Sequence, residues 1–320
     1  MSQKAKLQLI IGFIITAIII YFSVRTLGHL HPGVVFHSDI NWVLAAISVI
    51  VYVYANYIRG LAFAYGIDPN IGRRIGFQIM GIGHAANMVL PLHAGEGLRI
   101  ALFPSNYSTR RRTELLLVSA AADVIAIILI SLLAVPFSGF RESNLLKALW
   151  ILVFLCIAAG ILLAAAICFV PRLHNYAIVY LNLGTLKMML WVLLSWVLLL
   201  VSTWLALVAF GFHWLESISM SLVVFAATNI INFIPASPGA IGLFEYGVIL
   251  GLGCLGISQS TALSAALLLH LIQYIALLPM GLVLYMMALH GKYRDALKQM
   301  WSWGGERTPK NVLDKTKKTE

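Results

Sequence analysis

From Lys187 to Lys292 the chain contains no lysine or arginine, and Glu216 and Glu245 are the only acids in that stretch. A run of that length must be several membrane passes joined by very short connections, because one span needs only about 20 apolar residues. The whole sequence agrees: 61% of its 320 residues are hydrophobic and 11% charged, against roughly 25% charged in a soluble domain. One aqueous core cannot hide so much apolar surface, so the expected fold is an all-α polytopic membrane protein.

Further charge-poor windows fall at 7–24, 40–58, 115–137 and 148–170, and the long run divides into 188–210, 217–244 and 246–289. The first window follows Lys4 and Lys6, is longer than a signal peptide's apolar region and lacks a small-residue cleavage site, so it reads as a retained span. The net charge of +10 sits in short loops and the tail beside these windows. That placement fits the positive-inside rule and anionic lipid rather than nucleic acid. Lys4 and Lys6, Arg59 with Arg73 and Arg74, Arg110–Arg112, Arg172 with Lys187, and the tail are then all cytoplasmic. Both termini are expected inside the cell membrane, with residues 1–290 forming one transmembrane domain and 291–320 a basic, partly disordered tail. The tail carries eight Lys or Arg against four acids after Leu289.

Two interruptions break this pattern. The stretch GHAANMVLPLHAGEGLRIALF, residues 83–103, lies between two inside clusters and so should enter and return on one side, hinged at Pro91–Gly95. The second, NFIPASPGAIGLFEYG at 232–247, should open from the opposite side, with Pro235 and Pro238 as hinges. Aligning Pro91 with Pro235 also aligns Gly95 with Gly239, which makes the pair a candidate inverted repeat. The expected architecture is about six full spans plus two re-entrant helix pairs. Backbone that leaves helical geometry inside a bilayer must be shielded by protein or line an aqueous cavity. The competing reading is of ordinary helix kinks or interhelical turns.

The chemistry-bearing residues gather at these breaks. Amides of Gly95, Gly97, Gly239 and Gly242 at half-helix starts suit a phosphate. Glu96 and Arg99, three apart, share a helix face. They either clamp a ligand, Arg99 through its oxyanion-matching fork, or merely anchor the helix as an interfacial pair. Asp123 stands in mid-span behind Ala120–Ala122; it is either the partner of Arg59 or Arg99, or a cation or proton site. Arg59 either snorkels to the headgroups or faces a cavity. Glu245 is the one formal charge between Ser217 and Gly291, and Asn87, Asn229 and Asn232 are amides at membrane depth. His84, His93 and His270 read as satisfied polar residues within a bundle, and no Cys or His spacing suggests a metal. Hydrolase, metalloprotease and P-loop motifs are absent, and no polar segment has room for a catalytic domain. No cofactor is implied.

At its two interruptions the sequence resembles the lysylphosphatidylglycerol synthase transmembrane-region family, over roughly residues 5–290. The family patterns N-x-x-L-P-x-x-x-G-E-x-x-R and P-x-x-P-G-G-x-G-x-x-E fall on Asn87, Leu90, Pro91, Gly95, Glu96 and Arg99, then on Pro235, Pro238, Gly239, Gly242 and Glu245. Ala240 replaces the second glycine of the pair. Arg59 matches a family arginine after the second span. Asp123 matches a family aspartate, but alanines occupy the stretch where an arginine often precedes it, which counts against an ion-pairing role for Asp123. The resemblance implies a stand-alone member of a group whose domains form the lipid-flipping half of aminoacyl-phosphatidylglycerol synthases. The expected function is translocation of a phospholipid, aminoacyl-lipid or polyprenyl-phosphate-linked lipid, with an anionic phospholipid, aminoacyl-lipid or glycolipid headgroup as partner. A second copy or a lipid-synthesis enzyme would be the candidate protein partner. The alternative is a membrane enzyme or accessory subunit that transfers a glycosyl or other group to a lipid carrier. It lacks a sizeable outer loop with paired acids, since only Asp39 falls there.

Overall fold

The computed structural model describes residues 40–90, 93–141, 143–169, 182–232 and 238–305, with side-chain surroundings as far as Leu289. The window at 7–24 and the hinges Pro91 and Pro235 lie outside the described residues. Every regular element within them is helical. In chain order these are α1 (Trp42–Ala62), α2 (Arg73–Val89), α3 (Ala94–Leu102), α4 (Thr109–Leu132), α5 (Ser138–Arg141) and α6 (Asn144–Phe169). They continue as α7 (Leu183–Phe210), α8 (Glu216–Asn232), α9 (Leu243–Gly253) and α10 (Gln259–Gly305), with a π turn at Phe63–Ile67 and a 3₁₀ turn at Pro238–Ala240.

Among the described residues, five helical stretches are long and apolar enough to cross a membrane: Trp42–Gly66, Thr109–Leu132, Asn144–Ala166, Leu183–Phe210 and Gln259–Leu289. The apolar windows at 40–58, 115–137, 148–170 and 188–210 therefore each coincide with a spanning helix. The run after Ser217 resolves into α8, the 3₁₀ turn, α9 and α10. With 9 residues, α3 reaches only about 13 Å at 1.5 Å per residue, under half of a ~30 Å hydrocarbon core.

Short polar side chains set the helix starts, as expected where a first turn leaves N–H groups unpaired. Asn41 caps α1 through Leu44 N at 3.1 Å, Ser108 caps α4 through Arg111 N at 3.3 Å, and Asn182 caps α7 through Thr185 N at 3.0 Å. Helix α7 stops where Gly211 turns left-handed at φ 113°.

Small residues fix the packing of the central helices, since lipid tails give no hydrophobic drive between them. Ser48 of α1 and Ser202 of α7 each donate to the other's carbonyl, at 2.8 and 2.9 Å. A side chain on Gly76 of α2 would run into the Gly60 carbonyl of α1, so these helices touch backbone to backbone. The largest core cluster joins Ala45 of α1, Leu207 of α7, Val224 of α8, Val248 of α9 and Leu269 of α10. Helix α6 sits outermost, with Phe154, Ile161 and Leu162 exposed. Helix α10 contains Pro279 and runs without interruption beyond Leu289 to Gly305.

Candidate functional site

Both sequence interruptions are real breaks, and both glutamates occupy the third position of the short helix that follows. Helix α2 ends at Leu90, and α3 begins after His93, which holds a left-handed φ of 53°. Asn87 bridges this gap. Its Oδ1 accepts the Gly95 N–H at 2.8 Å, and its Nδ2 donates to Glu96 Oε1 at 3.2 Å. Glu96 Oε2 accepts from Arg99 Nη1 at 2.6 Å. Arg99, only 6% exposed, threads past Gly83 of α2, where an added Cβ would overlap its side chain. Its Nε and Nη2 are buried without a hydrogen-bond partner.

The second break is built from the same kinds of parts. Pro238 opens the 3₁₀ turn, Gly239 and Ala240 are left-handed at φ 61° and 56°, and Gly242 precedes α9 at φ 85°. Glu245 Oε2 accepts the Gly242 N–H at 2.7 Å, while Oε1 lies 2.5 Å from His270 Nδ1 of α10. The His270 ring is held between Phe244 and Tyr274, each with its centroid 4.9 Å away. A side chain on Gly239 would strike the Tyr274 hydroxyl and approach the Met88 carbonyl, so the two breaks meet.

A third set joins three spans. Arg59 of α1, 4% exposed, forms a salt bridge with Asp123 of α4. Asp123 Oδ1 also accepts from Trp196 Nε1 of α7 at 2.9 Å, and the Trp196 ring lies 5.0 Å from the Arg59 guanidinium carbon. The Arg59 Nε has no partner. The pairing answers two sequence-level questions at once. Arg59 does not snorkel outward, and Asp123 is an ion-pair partner although no arginine precedes it in its own span. An unpaired charge at this depth would be far costlier than the pair, and the cation comes from a neighbouring helix.

Between the breaks lies a cavity of about 230 Å³. Of the expected site residues, Arg59, Asn87 and Asn232 line it. Gly95, Glu96, Arg99, Asp123, Gly239, Gly242 and Glu245 do not. Three of these stand directly behind lining residues, Gly95 and Glu96 behind Asn87 and Asp123 behind Arg59, and Glu245 follows the lining residue Phe244. The Gly95 and Gly242 amides, expected to face a phosphate, instead donate within the chain to Asn87 and Glu245. Gly97 is exposed, with nothing near its Cβ position.

Sequence reasoning missed Trp196, Asn56 and Gln273 on the wall, and it dismissed His270, the partner of Glu245. For α10 a signal existed: His270, Gln273 and Tyr274 follow i, i+3, i+4 spacing and so mark one polar face in an apolar run. Nothing in the sequence marks Trp196, which sits among leucines. Among the described residues no three His, Cys, Asp or Glu side chains gather as a metal site.

A helical membrane protein with paired charges around a polar cavity, flanked by two broken helices, is the class these features define. Within it, the chain belongs to the lysylphosphatidylglycerol synthase TM region family, whose model matches residues 9–281. No curated protein and no solved structure matches the chain.

Proposed function

We propose that this protein moves lipids across the cytoplasmic membrane, passing the headgroup through the central cavity while the hydrocarbon chains stay in the bilayer. The observation that carries this reading is a polar cavity of about 230 Å³, lined by the spanning helices α1, α7 and α10 and the shorter α2, α8 and α9, in a lysylphosphatidylglycerol synthase TM region protein. A wall of this kind gives a headgroup partners that hydrocarbon cannot. The lipid is a phospholipid, aminoacyl-lipid or polyprenyl-phosphate-linked lipid, and the protein transports it rather than transforming it.

The two breaks act as re-entrant gates on opposite sides of the cavity. Matching positions of Glu96 and Glu245, each third in its short helix, support a duplicated device of inverted topology. Arg99, set back from the cavity wall with its Nε and Nη2 unpartnered among the described residues, is the phosphate contact at the first break, and the Glu245–His270 pair carries any coupled proton. Both termini are cytoplasmic. A lipid or ion gradient drives the movement, or it runs passively in both directions.

The test uses the full chain in proteoliposomes containing trace fluorescent lipid. If the protein translocates, a membrane-impermeant reductant quenches nearly all the fluorescence rather than about the outer half. Arg99→Ala and Glu245→Gln should slow the second phase. Quenching identical to protein-free vesicles for every lipid class refutes the proposal.

A further inference from the structure

The hydrogen bonds left open on the cavity wall describe the headgroup it takes. Among the described residues, two buried groups there have no partner: the Arg59 Nε, a donor, and the Asn232 Oδ1, an acceptor. A ligand that completes this wall must both accept and donate. A phosphate only accepts and an ammonium only donates, so a charged headgroup would have to present both, whereas a single hydroxyl does both.

Charge points the same way. Among the described residues no carboxylate lines the cavity, and the one arginine or lysine there, Arg59, is already neutralised by Asp123. A cationic aminoacyl headgroup would meet a guanidinium and no free acid, and the cost of desolvating it would go uncompensated. Most of the remaining polar wall is amide and hydroxyl, from Asn56, Asn87, Thr203, Thr228, Asn229 and Gln273, joined by the His84 imidazole. Asn56 is held by Tyr52 O at 3.0 Å and by His84 Nδ1 at 2.6 Å, which fixes the wall's shape. Thr203 and Thr228 donate back to their own helices, at 3.1 and 2.8 Å, so what their hydroxyls can still offer is acceptor capacity.

We infer that the cavity binds an uncharged, hydroxyl-rich headgroup, a sugar or other polyol, in preference to the lysyl headgroup in the family's name. Its hydroxyls bridge Arg59 Nε on α1 and Asn232 on α8, with Gln273 of α10 as a third contact. This rests on the translocation reading for the ligand being a lipid, but the hydroxyl preference follows from the wall alone.

The test is binding to the purified full chain in nanodiscs of phosphatidylcholine, read as a thermal-midpoint shift. The probes are glucosyl diacylglycerol, phosphatidylethanolamine, lysylphosphatidylglycerol and free methyl glucoside. Glucosyl diacylglycerol should raise the midpoint, with phosphatidylethanolamine and lysylphosphatidylglycerol giving little or no shift. Asn232→Leu and Gln273→Leu should each weaken glucosyl-lipid binding roughly tenfold, since each leaves ligand hydroxyls unpaired. The wild-type ranking needs neither variant to fold. Equal or tighter binding of either ammonium lipid, no binding of any glucosyl probe, or undiminished binding in both well-folded variants overturns the inference. Binding of glucosyl diacylglycerol without its movement in proteoliposomes sinks only the translocation reading. A shift with methyl glucoside equal to that with the lipid does the same, leaving the hydroxyl preference standing.

Discussion

Replacing Asp123 with asparagine removes one charge from the Arg59–Asp123 pair and little else. The amide oxygen introduced there can still accept from Trp196 Nε1, now 2.9 Å from the Asp123 Oδ1, so the indole keeps its bond. Arg59, 4% exposed, is left with a 3.5 Å contact to Ser195 Oγ and the Trp196 ring. Stranding one member of a buried pair costs about 3–5 kcal/mol. At about 2 °C per kcal/mol for a chain of this size, the thermal midpoint should fall by roughly 6–10 °C. The second half of the experiment is Arg59→Met with Asp123→Asn. With no charge left to strand, the double variant should recover most of the loss and show a coupling energy on the order of 2 kcal/mol or more. The assay is thermal unfolding of detergent-solubilised protein, followed by tryptophan fluorescence. Two outcomes refute the reasoning: a single variant within about 1 °C of wild type, or a double variant whose loss equals the sum of the two single ones.

Four further outcomes follow from the breaks. Gly83→Ala should cost about 1–3 kcal/mol, because its Cβ overlaps the Arg99 side chain. Gly97→Ala, with nothing within 4 Å, should instead stabilise by about 0.5–1 kcal/mol, and thermal midpoints of opposite sign check the pair. Asn87→Ala removes the acceptor for Gly95 N–H and the donor to Glu96, so a loss of about 1–2 kcal/mol in the same unfolding assay is expected. Ala240→Gly relieves a left-handed alanine at φ 56° and should hold or slightly raise the midpoint, the ~1–2 kcal/mol of strain outweighing the added freedom of the unfolded chain.

The spans and the breaks were legible in the sequence because both rest on local properties. Leu, Ile and Val runs without charge mark α1, α4, α6 and α7, and proline with glycine marks where the helix hydrogen-bond ladder must stop. Glu96 and Arg99 could be paired from their spacing alone, since helix geometry brings residues three apart together. Of the other two charge pairs, Arg59 was one of the two arginines open to Asp123 in the sequence, and the Glu245–His270 pair was not readable. Asp123 finds Arg59 and Trp196 on two different helices, and Glu245 finds His270 across the turn between α9 and α10. Those choices depend on which helices become neighbours. The small residues that decide this, Ser48 with Ser202 and Gly60 with Gly76, carry no label of their partner. Ala120–Ala122 leaves room for a neighbouring helix, and Ala122 is indeed buried beside Met188 and Val192, so α7 comes close enough for Trp196 to reach Asp123; it was the missing arginine in that span that misled.

Helix α10 gives the molecule a long arm. Its 47 residues measure about 70 Å, more than twice a ~30 Å hydrocarbon core, so a good part of it stands clear of the bilayer. His270 and Gln273 lie on the stretch before Pro279, and the arm that follows to Gly305 is about 39 Å long. Proline is where a helix bends most readily. A swing of about 10° at Pro279 would therefore carry the far end through about 7 Å while the polar face beside the cavity barely shifts. The same leverage runs in reverse: a force applied at the far end reaches the pivot multiplied, about a turn and a half from Tyr274, the residue that stacks on the partner of Glu245.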